Sequence, residues 1–326
     1  VRETRLELAS TEVPDDTFKV KKFPIETNTR SPMRISLGCH FVGAALPAPD
    51  TTCSFSQQPS VVKRVAAKMP PINRQTLRAL KRFTAAWLKS NMTQHIFSPD
   101  EKFDFDEWID NTPYTESRRE TLRRRFAETK GQFNKRCSNV KAFTKDENYP
   151  EYKFFRAICS RSDEFKTLVG PFFQKVGAIM FSLPQFIKKI PVNERPAYIM
   201  SKFADKPNVF CTDYSQFEST FVEKLMTYVE RQFYDFLLQN NPRRQEIMKM
   251  IDEGIIGKNH IILRDFIFTI MCKRMSGEMN TSLGNGFFNM IVTFFLLQKA
   301  GNKYADGVFE GDDSLCWCDL RPPSVQ

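Results

Sequence analysis

The sequence predicts a mixed α/β chain of the α+β kind, on three observations. Apolar segments of strand length at 140–144, 154–159, 209–212 and 266–272 stand well apart in the chain. Long stretches with helical periodicity separate them, at 60–91, 168–187, 217–240 and 283–299. Near the end, 307–309 and 314–318 flank a four-residue turn and read as a β-hairpin. No internal repeat is visible. With 31 Phe among 326 residues the chain carries too much apolar surface for a solvated coil, and 13 Gly and 19 Pro exclude a collagen-like or low-complexity fold.

The elements follow in order. Residues 1 to about 60 mix Pro, Thr, Ser and Asp with short apolar runs, and read as extended chain and loops. The helical pattern from Ser60 is broken at Pro70 and Pro71; Asn73 then caps a second helix with Leu77, Leu80, Phe83 and Leu88 on one side. A turn at 111–114 leads into a strongly basic helix from Glu116 to about Lys130. Between the strands at 140–144 and 154–159 lies a charged connection with Lys145, Asp146, Pro150 and Lys153. The strand at 209–212 runs straight into Asp213, and 276–281 is a polar loop. No segment reaches the length of a membrane span; 287–297 comes nearest and contains Asn289. The N-terminus reads VRETRLELAS, without an initiator Met or the pattern of a signal peptide, so the chain is expected to be a piece of a longer protein.

The net charge is +10, and 118–166 alone holds fourteen Lys or Arg against seven Asp or Glu. Such an excess suits a polyanionic partner, nucleic acid before a membrane surface. The eight cysteines are dispersed, with no CxxC pair, and read as reduced thiols in the core. Cys39-His40 with Cys53 lacks a fourth ligand at zinc-binding spacing.

Four groups of residues can carry chemistry. Gly311, Asp312 and Asp313 put two carboxylates at a hairpin tip, where a hard divalent cation or water must offset their repulsion. Asp213 opens from an apolar strand into Tyr214, Ser215, Gln216, Phe217 and Glu218, a costly place for a carboxylate unless it is paired or metal-bound. In SGEMNTSLGN, Ser276 and Gly277 make a turn, while Thr281 and Asn285, four apart, share a face at a helix start. Lys141, Lys145, Lys153, Arg156 and Arg161 alternate along two strands and their connection, as a triphosphate site would need. Each alone has a plainer reading: an acidic turn, an N-cap, a capped helix start, an exposed basic hairpin.

Taken together and in this order, they resemble the RNA-dependent RNA polymerases of positive-strand RNA viruses, with wording closest to tombusvirus-like, nodavirus-like and flavivirus-like replicases. VKAFTKDENYPEYKFFRAICSR resembles motif F, DYSQFE motif A, SGEMNTSLGN motif B and EGDD motif C; NTPYTESRR, at 111–119, is a weaker likeness to motif G. The resemblance spans roughly 100–318. It implies a right-hand architecture, with an extended linker over 1–60, fingers over 61–200 and a palm over 201–320 that holds an antiparallel sheet flanked by helices and is interrupted by a finger insertion near 241–265. Two departures stand out. Glu218 sits where many such enzymes have Asp, and the chain ends soon after Asp313, before further palm motifs and a thumb.

The resemblance also implies two-metal nucleotidyl transfer. Asp213, Asp312 and Asp313 would hold two Mg²⁺ ions, with Mn²⁺ as a substitute. Lys145, Lys153, Arg156 and Arg161 would pair the incoming nucleoside triphosphate. Asn285, with Glu218, Ser276, Gly277 and Thr281, would read the ribose. Thr112, Tyr114, Arg118, Arg119, Arg123, Arg124 and Lys141 would hold RNA template and nascent strand. Other viral replicase proteins, and membrane-associated complexes in the host cytoplasm, are the expected surroundings, with any membrane anchor lying in parts outside this sequence. The alternatives are a reverse-transcriptase-like polymerase, and an RNA-binding fragment that is inactive without a thumb. A membrane-surface protein ranks last, for want of an amphipathic basic segment.

Overall fold

A computed structural model describes residues 13–23, 54–145, 147, 154–214, 216–264 and 266–322. Within these, helices surround two sheets, one of five strands and one of three. β1 (Lys19–Lys22) lies on the edge of the larger sheet. α1 (Ser54–Val61) runs on as a π-helical turn, Val62–Ala66. α2 (Arg74–Asn91) starts where Asn73 accepts the Gln75 amide at 2.7 Å, and it buries Leu77, Leu80, Thr84 and Leu88 along one stripe. α3 (Phe105–Asp110) and the basic α4 (Glu116–Thr129) follow.

β2 (Val140–Thr144) and β3 (Ala157–Arg161) pair antiparallel. α5 (Asp163–Met180) is capped by Ser162, whose hydroxyl accepts the Phe165 amide, so it begins five residues earlier than the apolar pattern suggested. α6 (Arg195–Phe203) leads to β4 (Phe210–Thr212). The single helix expected over 217–240 is instead α7 (Phe217–Thr220), α8 (Glu223–Met226) with a π segment Thr227–Arg231, and α9 (Gln232–Leu237). The break falls at Phe221, which takes an extended backbone and goes fully into the core against Phe217, Phe288 and the Arg274 guanidinium. Core packing of that ring overrides helical periodicity.

α10 (Arg244–Gly254) precedes the hairpin of β5 (Lys258–Leu263) and β6 (Phe266–Met271). Sequence reading found β6 but not β5, whose Lys, Asn and His dilute its strand pattern. α11 (Thr281–Lys299) is buried over most of its length. β7 (Ala305–Glu310) and β8 (Asp313–Cys318) close the chain.

The five-stranded sheet runs β1-β6-β5-β2-β3, antiparallel except for β2 against β5. One of its faces packs Val140, Cys159, Ile261, Phe268 and Ile270 against Val61, Val62 and Val65. The small sheet runs β4-β8-β7, all antiparallel. A larger core, rich in Phe172, Phe217, Phe233 and Phe287, joins α2, α5, α7–α9 and α11. No helix among the described residues is long and apolar enough to cross a membrane. Of the cysteines, Cys159, Cys272, Cys316 and Cys318 are buried thiols as expected, but Cys211 is exposed and Cys137 half-buried; Cys39 and Cys53, with the zinc reading, lie outside the described residues.

Candidate active site

The small sheet brings together carboxylates that lie far apart in sequence. Thr212 on β4 faces Ser314 on β8, and their hydroxyls are hydrogen-bonded at 2.6 Å. The next residue beyond this pair on each strand is an aspartate, Asp213 on one side and Asp313 on the other. On the hairpin, Glu310 pairs with Asp313, leaving Gly311 and Asp312 as a two-residue loop. Gly311 has φ +68°, as the first position of such a loop requires, and nothing lies within 4 Å of where a Cβ would be; backbone angle, not space, calls for glycine there. Asn289 of α11 donates its amide to the carbonyl of Asp312 at 2.8 Å and, more weakly, to that of Gly311 at 3.4 Å.

Asp213 and Asp312 line one cleft of about 350 Å³ together with Arg64, Arg156, Tyr214 and Glu218. The Asp313 carboxyl is pushed above its ordinary value, first by partial burial and then by the negative charges of Asp312, Asp213 and Glu310. Glu310 is held by Arg195 at 2.7 Å. A corner that gathers carboxylate oxygens at the cost of mutual repulsion suits a hard divalent cation. The aspartates do not form a ready-made cage: among the described residues no three His, Cys, Asp or Glu side chains already stand close enough to hold a metal.

The predicted phosphate-binding cations separate into two groups. Arg156 reaches the cleft and pairs with Glu147 at 3.3 Å; Lys145 pairs with the same carboxylate, and both cations remain over 40 % exposed. Arg161 does not. It is 5 % exposed, and its guanidinium donates to Glu278, to the Ser138 carbonyl and to Asn259, so it joins β3 to the 276–281 loop rather than facing a ligand. Its burial and these three partners hold it apart from the acidic cleft. Lys153 lies outside the described residues. Two cations that sequence reading passed over line the cleft, Lys63 and Arg64, and Arg64 binds Glu218 at 2.5 Å. Their signal was a Lys-Arg pair inside the apolar run from Val61 to Ala67.

The 276–285 segment docks on the edge of β3. Ser276 Oγ accepts the Cys159 amide at 3.1 Å, and the Gly277 amide donates to the Cys159 carbonyl at 2.7 Å. A Cβ on Gly277 would lie 3.0 Å from that carbonyl, which favours glycine here. Thr281 Oγ1 donates to the Met275 carbonyl at 2.9 Å. Beneath the loop lies a buried ionic network: Arg274 pairs with Glu230 and Glu278, Tyr234 donates to Glu230 at 2.6 Å, and Asn280 donates to Glu230 at 2.7 Å. Asn285 is 5 % exposed and its Oδ1 has no hydrogen-bond partner. It stands one turn before Asn289, and Thr281, Asn285, Asn289 and Thr293 form an i, i+4 polar stripe down an otherwise apolar helix.

The basic helix carries less free charge than its composition suggested. Arg118 makes a two-pronged pair with Asp163 at 2.5 and 2.7 Å, Arg123 binds Asp110 and Glu116, and Arg119 donates to the Tyr114 carbonyl. Thr112 donates to the Ile109 carbonyl, and Tyr114 packs against a small core around Trp108. Arg124 and Lys141 are exposed.

Residues 61–321 match the family model described as "Viral RNA dependent RNA polymerase". No curated protein matches the chain.

Proposed function

Because the chain belongs to the viral RNA-dependent RNA polymerase family, we propose that the corner of Asp213, Asp312 and Asp313 is its nucleotidyl-transfer centre. The protein is a viral RNA-directed RNA polymerase, a nucleotidyltransferase that binds an RNA template and nucleotides, and its family works with divalent metal ions. The finer reading rests above all on the register of β4 against β8, which sets two aspartates beyond the Thr212–Ser314 pair and Asp312 in the cleft beside them.

In this reading the three-stranded sheet belongs to a palm and the five-stranded sheet to fingers. The finger insertion then runs through β5 and β6, since both join β2 and β3 in one sheet. Two Mg²⁺ ions would be held by the three aspartates, and they would supply activation of the primer 3′-hydroxyl and charge neutralisation on the leaving pyrophosphate. Arg156, which lines the cleft, and Lys145, which shares the partner Glu147 with it, orient the triphosphate. The unpartnered Asn285 oxygen accepts the ribose 2′-hydroxyl, a group DNA precursors lack. Glu218, tied to Arg64, borders the same cleft and shapes its sugar side.

The test is template-directed incorporation by the intact protein. Asp312→Asn should lower synthesis by about three orders of magnitude or more under Mg²⁺ while RNA affinity changes little. Near-normal turnover would remove the metal argument. Comparable use of deoxyribonucleotides by the unaltered protein would favour the reverse-transcriptase alternative.

A further inference from the structure

We propose that the open face of the five-stranded sheet is a binding surface for single-stranded RNA, separate from the acidic cleft. The choice of RNA over other polyanions rests on the polymerase reading; the surface itself rests on strand register and charge. Side chains alternate across a sheet. One set, including Val140, Cys159, Ile261 and Phe268, is buried under α1 and the π turn from which Arg64 reaches the cleft. The other set faces away from the cleft side.

Register places the outward residues in rows. Lys141 aligns with Ile262, Ile262 with Ile267, and Ile267 with Lys21. The next row holds His260, Thr269 and Lys19, and Lys258 sits opposite Met271 beyond it. With strands about 4.8 Å apart, Lys141 and Lys21 are separated by about 14 Å. Lys19, Lys21, Lys141 and Lys258 are all exposed, and none of the outward strand positions is Asp or Glu. Apolar groups lie between these cations: Phe143 is 54 % exposed, Ile262 39 % and Met271 38 %.

Two shallow grooves cross this surface, of about 600 and 320 Å³, and they share Arg136, Asn139 and Ile262. The acidic groups at the rim are engaged: Asp163 by Arg118, and Glu164 by Arg125 at 3.5 Å. His260 is held below its ordinary pKa by partial burial and by the charges of Lys258 and Lys135, which agrees with a positive field there. A flat, cationic face with no acid on its strand positions, paired acids at its rim and an exposed ring matches the needs of unpaired nucleotides: cations for phosphates and a ring for base stacking. A duplex, its bases already stacked, would use only the cations.

The test compares the unaltered protein with Lys19→Glu/Lys21→Glu/Lys258→Glu, with the milder triple Gln variant, and with Phe143→Ala. Affinity for a 20-nucleotide oligouridylate and for a duplex of equal length is read across salt, beside turnover on a short primed template. The Glu variant should bind the oligouridylate at least about tenfold more weakly, with a log–log salt slope shallower by about 2, as three lost phosphate contacts require. The Gln variant should fall between, and it decides the matter if the Glu variant does not fold. Phe143→Ala should weaken single-strand binding about fivefold and leave duplex binding alone. Turnover on the short template should hold. Unchanged affinity and slope would overturn the proposal, as would a change in self-association without a change in RNA binding, which would assign the face to a protein partner. An equal loss of short-template turnover would also overturn it, by moving the effect into the cleft. If the unaltered protein makes no RNA at all, the polymerase reading fails while the binding data still decide the surface.

Discussion

The side-chain amide of Asn289 donates to the main-chain carbonyl of Asp312 at 2.8 Å, linking the buried helix α11 to a hairpin turn 23 residues further along the chain. This contact, with the weaker one to Gly311, fixes where the turn presents the Asp312 carboxylate. The other end of the Asn289 amide accepts from Thr293 at 3.2 Å and Tyr214 at 3.5 Å, so one side chain ties the helix, the turn and the segment after β4.

Asn289 is therefore a positioning residue. Asn289→Leu removes a donor from two carbonyls and should lower the maximal rate by about ten- to a hundredfold, the cost of a buried acceptor left unsatisfied. The apparent affinity for nucleotide should change little. Asn289→Gln, which keeps the donor on a longer arm, should recover part of the rate. Equal losses in both variants, matched by equal losses in thermal stability, would reduce Asn289 to a packing role.

Asn285 presents a different test. Its Oδ1 is buried without a partner, a costly arrangement that a bound hydroxyl would relieve. Asn285→Ala should relax the preference for ribo- over deoxyribonucleotides by about tenfold or more while RNA affinity changes less. Competition between the two sugar types on one template reads this directly, and an unchanged ratio counts against sugar reading.

The network under the 276–281 loop predicts a stability effect. Arg274 is fully buried between Glu230 and Glu278. Arg274→Met strands the buried Glu230 carboxylate and leaves Glu278 to Arg161 alone; it should cost about 3–5 kcal/mol, read as a fall in the urea midpoint. Removing Glu230 as well, in Arg274→Met/Glu230→Gln, should recover part of that loss. A double variant less stable than the single would refute the ionic account.

Acid stability should depend on Arg118 and Asp163. The Arg118 guanidinium beside Asp163 holds that carboxyl below its ordinary value. The folded pKa is thus below the unfolded one, about 3.9. The stabilisation is fully present above that pH and is lost as pH falls through the folded value. Asp163→Asn should leave a smaller fall in unfolding midpoint than the unaltered chain shows between about pH 5 and 3. Identical acid profiles would show that the exposed part of this pair is screened by solvent.

Local chemistry was legible in the chain where it depends on neighbours in sequence. The Asn73 cap, the positive-φ Gly311 at a hairpin tip and the buried helix of α11 each follow from a few adjacent residues. The motif order and the family were legible for the same reason, because chemistry-bearing residues recur at fixed local spacing. Long-range placement was not. Nothing in the neighbourhood of Arg161 distinguishes a phosphate ligand from a buried strut; its role follows from Glu278 and Asn259, about a hundred residues away. The break at Phe221 is hidden likewise, since the Phe288 ring and the Arg274 guanidinium that hold it inward come from distant parts of the chain.

By itself, then, the sequence determined that this chain carries aspartates on tight turns, cations along a strand pair and a polar stripe on an apolar helix. Only the tertiary structure decided which arginines face solvent and which are sealed in, and that Asn289 supports the turn. The physical reason is that caps, turns and periodicity are set over a few residues, whereas burial and charge pairing depend on which distant segments the fold packs together.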